Sequence, residues 1–230
     1  MRAGGCRHWQ NNDAGRKVTT PSIYTLYYYH DPMCSWCWGY RPTAQKLFAS
    51  LPANIRLEKI LGGLAPDSDQ PMPQNLRIAL PDTWRRIHAM LGTEFNFAFW
   101  TDCKPRRSTY PACRAVIAAG NQDQADEMIL AIQQAYYLRA MNPSDIETHV
   151  TLADELQLDT RKFLADLKST RTAQEFERQL AFTRQSPISG FPSLAIELDG
   201  QLTPVLQDYK SHTATLEHIA SLVGTRGAKL

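Results

Sequence analysis

Two cysteines separated by two residues, Cys34-Ser35-Trp36-Cys37, are the part of this sequence best placed to do chemistry. A C-x-x-C has two common uses: half of a tetrahedral zinc site, or a redox dithiol at the start of a helix. Zinc would need two more ligands. Cys103 and Cys113 lie ten positions apart, wider than the second knuckle of a zinc ribbon, and no histidine pair at three-to-five-residue spacing lies near either. Scattered ligands stay open, and so does the bland reading of two unrelated buried thiols. The surroundings must decide.

Upstream, Ser22-Ile23-Tyr24-Thr25-Leu26-Tyr27-Tyr28-Tyr29 is β-branched and aromatic, the composition of a buried strand. His30-Asp31-Pro32-Met33 reads as a turn, because a proline disfavours the helical region at the residue before it. From Trp38 to Ser50, Tyr40, Ala44, Leu47 and Phe48 recur at helical spacing. The dithiol therefore sits at a strand–turn–helix junction, with Cys34 at or just before the first helical turn. The first N–H groups of a helix lack internal partners, and the helix dipole favours negative charge there. A Cys34 thiolate can accept from them, which should lower its pKa from about 8.5 into the range of roughly 3.5–7.5. At pKa 8.5 only about 3% is thiolate at neutral pH, and at pKa 6 about 90% is. Cys37, one turn inside, should be more buried and more thiol-like. The asymmetry assigns roles: Cys34 attacks and Cys37 resolves the mixed disulfide. Pro42 should bend this helix or force it to restart.

Ile55-Arg56-Leu57-Glu58-Lys59-Ile60-Leu61 alternates apolar and charged before Gly62-Gly63, a second strand with one covered face. A right-handed parallel crossover is the expected connection. Far downstream, residues 193–198 form another strand pattern. Asp199-Gly200 signals a two-residue hairpin into Leu202-Thr203-Pro204-Val205-Leu206. A last helix is expected over Tyr209–Val223, with Gly224 as its stop.

This order of strand, dithiol helix, strand, long intervening segment, strand hairpin and helix resembles the thioredoxin fold, with the insertion placed as in the DsbA-like oxidoreductases. The residues that carry the resemblance are Asp31-Pro32-Met33-Cys34-Ser35-Trp36-Cys37-Trp38-Gly39, then Pro111-Ala112-Cys113-Arg114-Ala115, then Gly190-Phe191-Pro192-Ser193-Leu194. Within that group the sequence is most similar to predicted cytosolic disulfide isomerases. The resemblance implies an α/β thioredoxin fold over residues 21–65 and 186–225, a helical insertion over 66–185, and a tail over 1–20. It implies Cys34 and Cys37 as catalytic residues, with Ser35, Trp36, Phe191 and Pro192 binding substrate. It further implies a cis Phe191–Pro192 bond that turns the Phe191 backbone towards a bound peptide. The expected activity is thiol–disulfide exchange or isomerisation on protein or small-molecule thiols and disulfides. No cofactor is expected beyond glutathione as a redox partner. A second architecture-compatible reading is a glutathione-dependent isomerase or transferase of the 2-hydroxychromene-2-carboxylate isomerase or kappa-class type. Those enzymes usually carry serine at the nucleophile position, which a full C-x-x-C argues against.

Helices are expected in the insertion at Asp123–Leu138, Asp145–Leu156, Asp159–Leu167 and Ala173–Phe182, with Ser144 and Asp159 or Thr160 as N-caps. Most of Trp84, Phe95, Phe97, Phe99 and Trp100 are expected in its core. Cys113, in the small-residue helix Ala112–Ala119, reads as a buried hydrophobe. Cys103, near Lys104, Arg106 and Arg107, could be an auxiliary thiol with a lowered pKa. Asp31 could relay protons to Cys37 or shape the turn, the second being the commoner use of an Asp-Pro aspartate. His30 is expected at the surface, and Arg41 could offset thiolate charge or be solvated.

The chain has 230 residues, 43% of them hydrophobic and 21% charged, which excludes a disordered chain. No run of about 18 apolar residues is present, so no membrane partner is expected. The formal charge is +2, but the first twenty residues carry +3 and the rest sum to −1. A near-neutral body gives no reason to expect nucleic acid as a partner. The N-terminal stretch lacks the apolar region of a secretory signal, so a cytoplasmic protein is expected.

Overall fold

The computed structural model describes residues 24–227. The expectations for the first twenty residues, Cys6 and Ile23 lie outside them. Four strands form one sheet in the order β2-β1-β3-β4. β1 (Tyr24–His30) pairs parallel with β2 (Ile55–Leu61) and antiparallel with β3 (Ser193–Leu198). The strand signal of the tyrosine run therefore extends one residue further than the turn reading allowed, to His30. β4 (Gln201–Val205) pairs with β3 across a two-residue turn. Asp199 and Gly200 hold φ of 52° and 74°, the positive values that a tight hairpin of matching twist requires. Pro204 costs no central ladder bond, because β4 is the sheet edge.

α1 (Ser35–Ala49) joins β1 to β2 and continues through Pro42 without restarting. It packs on one face of the sheet with α9 (His212–Gly227). Between them lie Leu26, Tyr28, Tyr40, Ala44, Leu47, Leu194, Ile196 and Ile219, all buried. The last helix begins three residues later than expected, because the Asp208 carboxylate takes the N–H groups of Lys210 and Ser211 in a turn. It also runs past Gly224, whose position is open and needs no left-handed backbone.

Between β2 and β3 lie seven helices. These are α2 (Gln74–Leu91), the short α3 (Phe99–Asp102), α4 (Tyr110–Gly120), α5 (Ala125–Tyr137), α6 (Ile146–Glu155) and α7 (Thr160–Leu167), followed by α8 (Thr170–Gln185). The Asp159 carboxylate caps α7 by accepting from Lys162 N at 2.9 Å, and Ser169 caps α8. Asp145, not Ser144, occupies the N-cap position of α6, and Ser144 Oγ donates instead to Ser108 O. Cys113, Ile132, Tyr136, Leu152 and Phe163 centre a second core, which Trp84 and Phe99 join from α2 and α3. Phe97, expected inside, is exposed at 37%. Met33 and Leu61 belong to this helical core too, so the end of β1 and the end of β2 are seated in the insertion.

Candidate active site

Cys34 is the N-cap of α1, with extended backbone at φ −81° and ψ 113°. Its sulfur accepts the N–H of Cys37 at 3.3 Å, the contact made by a capping oxygen elsewhere. The turn before it is closed by Cys34 N donating to Asp31 O at 3.0 Å. Opposite, the Cys34 thiol donates to the carbonyl of Phe191 at 3.3 Å, from a residue 157 positions away. The Phe191–Pro192 peptide bond is cis. Cys34 is 5% exposed and Cys37 1%, so both sulfurs lie under the surface, with Cys37 the deeper.

Burial pushes the Cys37 thiol well above its usual range, and the neighbouring Cys34 raises it further. The Asp31 backbone N–H works against this by favouring the thiolate. Cys34 faces the open helix end; Cys37 is enclosed.

Phe191 is seated by Gly62. A Cβ at Gly62 would stand 2.0 Å from the Phe191 ring, so only glycine admits that ring against the end of β2. Gly63, at φ +62°, lies under Tyr110, Phe176 and Leu180. The Gly62-Gly63 pair is therefore more than a strand stop. It lets the β3 approach and the helical insertion close together beside the dithiol.

Of the residues expected to bind substrate, Trp36 is half-buried and rests edge-on against Tyr209, ring centres 5.3 Å apart. Phe191 is half-buried, Pro192 is buried, and Ser35, at 9%, offers little surface. Tyr209 belongs to the loop before α9. No local motif marks it, and only the return of that loop over α1 brings it to the site.

Asp31 is fully buried. Its carboxyl accepts from Met33 N at 2.7 Å, Leu64 N at 2.7 Å and Thr109 Oγ1 at 2.6 Å, and the Cys113 thiol points to it at 3.7 Å. Burial raises its pKa, opposed by these donors, Thr109 first. The carboxyl is engaged in shaping the turn and tying it to α4, and it is not bonded to Cys37. His30 is the reverse of its expected position: it is 2% exposed, and burial pulls its pKa down to about 3. Strand β1 carries it inward, where its ring stacks on Tyr28. Arg41 is half-buried and donates to Gln133 Oε1 at 3.0 Å. Cys103 also departs from expectation. Its thiol donates to Ala140 O at 2.8 Å, and burial with Asp102 and Asp145 raises its pKa rather than lowering it. The nearby cation Arg106 is already paired with Asp145 at 2.6 Å.

Among the described residues, no group of three or more His, Cys, Asp or Glu side chains is placed to hold a metal ion. No described helix is long and apolar enough to cross a membrane.

A dithiol at a helix N-terminus beside the end of a central strand, faced by a cis-proline loop and covered by a helical insertion, gives the chain a DsbA-like thioredoxin fold. The family model described as Thioredoxin matches residues 27–201, and the chain belongs to that family. A "putative protein disulfide isomerase" from Nitrosomonas europaea has the same fold with a TM-score of 0.77, at 24% identity, over 89% of this chain and 99% of that one. The cytosolic disulfide reductase DsbM from Pseudomonas aeruginosa superposes with a TM-score of 0.68 at 23% identity, over 90% of this chain and 100% of that one. By sequence, the chain is 23% identical over 172 residues to the ClpXP adapter protein SpxH of Bacillus subtilis, covering 74% of this chain. It spans 56% of that protein's length.

Proposed function

We propose that this protein is a thiol–disulfide oxidoreductase or isomerase in which Cys34 and Cys37 act through a mixed disulfide with protein or small-molecule substrates. The observation that carries the reading is the placement of Cys34: its sulfur caps α1, with Cys37 N at 3.3 Å on one side and Phe191 O at 3.3 Å on the other. Cys34 is the shallower of the two sulfurs and faces the Phe191 loop, so Cys34 attacks. Cys37, kept protonated by burial, waits one turn away to displace the captured group. The half-buried Phe191, whose carbonyl faces Cys34, and the Trp36–Tyr209 pair flank the point of attack and hold the substrate. The work is reductive or isomerising and takes place in the cytoplasm, with glutathione as a candidate electron donor. The cytosolic reductase among the structural relatives supports this direction.

The test is insulin reduction and refolding of a scrambled disulfide substrate by the wild type, Cys34→Ser and Cys37→Ser. Both activities are lost in Cys34→Ser. Reduction and refolding that survive both substitutions would point to glutathione-dependent isomerase or transferase chemistry instead. A two-electron potential near the oxidising extreme, about −120 mV, would contradict the reductive direction.

A further inference from the structure

A cavity of about 340 Å³ lies where β1, β2, α1 and α5 converge. At the roughly 30 Å³ that a water takes up in the liquid, it has room for about ten non-hydrogen atoms. Cys37 lines it and Cys34 does not, so it is separate from the face where the Phe191 carbonyl meets the reactive sulfur. Phe48 of α1 and Leu130 of α5 give it an apolar side.

Two polar groups on the wall keep hydrogen-bonding capacity unspent. The first is His30. Tyr28 and His30 lie two apart on β1 and so share a face of the sheet. Their rings stack, centres 5.1 Å apart and planes 6° from parallel, which holds the imidazole in place. His30 is 2% exposed, and its Nε2 is buried without a hydrogen-bond partner. Buried polar atoms are nearly always paired, so an orphan on a cavity wall points to a group that the cavity takes in. Burial keeps the ring neutral at physiological pH, so Nε2 can carry its proton and donate it. The second is Arg41, which is half-buried. It gives one N–H to the neutral Gln133 Oε1 at 3.0 Å. Among the described residues it has no ion pair. Asp126 acts on it through space, but that carboxylate is held by Lys59 at 2.6 Å. Glu127 is the other acid on the wall, and it is exposed.

We propose that this cavity binds a small organic monocarboxylate, its carboxylate held by Arg41 and His30 Nε2 and its apolar body laid against Phe48 and Leu130. The guanidinium has five N–H donors in a planar fork, so the bond to Gln133 leaves enough of them for a carboxylate. His30 donates to the same group, and the orphaned nitrogen gains its partner. A phosphate, with its second negative charge, is disfavoured because Asp126 and Glu127 share the wall. A molecule seated here covers Cys37 and leaves Cys34 open. The binding claim stands apart from the dithiol reading, since it needs neither sulfur to react.

The experiment titrates the full chain, reduced, with benzoate and with benzamide, which share a ring and differ in the carboxylate. Binding is followed by the histidine ring signals in the NMR spectrum, that of His30 being identified by its loss in His30→Phe. Benzoate is expected to move the His30 signal saturably, with a Kd on the order of 1 mM for so small a ligand. Benzamide binds at least about tenfold more weakly, and Arg41→Gln weakens benzoate by a similar factor. A second measurement stands should Arg41→Gln fold poorly. In Cys34→Ser, benzoate at about ten times its Kd slows iodoacetamide labelling of Cys37 about tenfold and leaves that of Cys103 unchanged, as read by peptide mapping. Benzamide binding as tightly as benzoate, benzoate binding unchanged in Arg41→Gln, a His30 signal that stays in place, or Cys37 labelling at its original rate overturns the proposal. Each of these results leaves disulfide exchange by Cys34 and Cys37 untouched, so the two readings fail separately.

Discussion

The Thr109 hydroxyl donates to the Asp31 carboxyl at 2.6 Å, across 78 residues of sequence. Asp31 opens the turn that sets Cys34 on its helix, and Thr109 is the residue before α4. One buried hydrogen bond therefore fastens the reactive turn to the helical insertion. Thr109 Oγ1 also accepts from Ala65 N at 3.1 Å, which draws in the segment after β2. Thr109→Val preserves shape and removes the hydroxyl from a buried carboxyl. It is expected to lower stability by about 1–3 kcal/mol, read from the urea midpoint at constant m-value. A variant as stable as the wild type would show that this bond does not hold the two parts together.

The seating of Phe191 on Gly62 makes a sharper demand. An added Cβ cannot coexist with the ring at 2.0 Å, so Gly62→Ala must displace Phe191 and with it the carbonyl that faces Cys34. Misplacement of about 1 Å costs on the order of a hundredfold in a positioned reaction. Insulin reduction by Gly62→Ala is expected to fall by about tenfold to a hundredfold while the far-ultraviolet spectrum is kept. Unchanged turnover would separate the Phe191 loop from catalysis.

How much of this was legible in the sequence depends on the range of the forces involved. The strand–turn–helix around Cys34 was readable because its signals are local: an aromatic strand, an Asp-Pro turn and helical spacing within about 25 residues. The hairpin at Asp199-Gly200 was readable for the same reason. α2 was not anticipated, since Pro73 and Pro81 interrupt a polar sequence and only Trp84 and Ile87 are buried. The surroundings of each site residue were the hardest to foresee. His30 looked like turn surface, yet continued pairing of β1 with β2 carries it inside. Cys103 looked activated by nearby cations, yet Arg106 is turned to Asp145.

The buried His30 makes stability depend on acidity. Its folded pKa is about 3, against an ordinary value of 6.5. Between these values the unfolded chain binds a proton that the folded chain refuses, so stability is lost as pH falls from about 6.5 towards 3. His149, buried and pulled down to about 4, adds to the loss, while Asp31, raised by burial, opposes it. His30→Phe keeps a ring against Tyr28 and removes the titration. The fall in unfolding free energy from pH 6 to pH 4 is expected to be shallower in this variant, by up to about 1.4 kcal/mol per pH unit. Parallel curves for the two proteins would mean that His30 is not held neutral.

The central claim is that Cys34 captures substrate and Cys37 releases it. Reduced Cys37→Ser incubated with a disulfide-containing protein, quenched with acid and mapped by mass spectrometry, tests this most directly. The account predicts a stable disulfide between the substrate and Cys34, abolished by adding Cys34→Ser. An adduct carried by Cys103 or Cys113, or no adduct while the wild type still reduces the substrate, would contradict it.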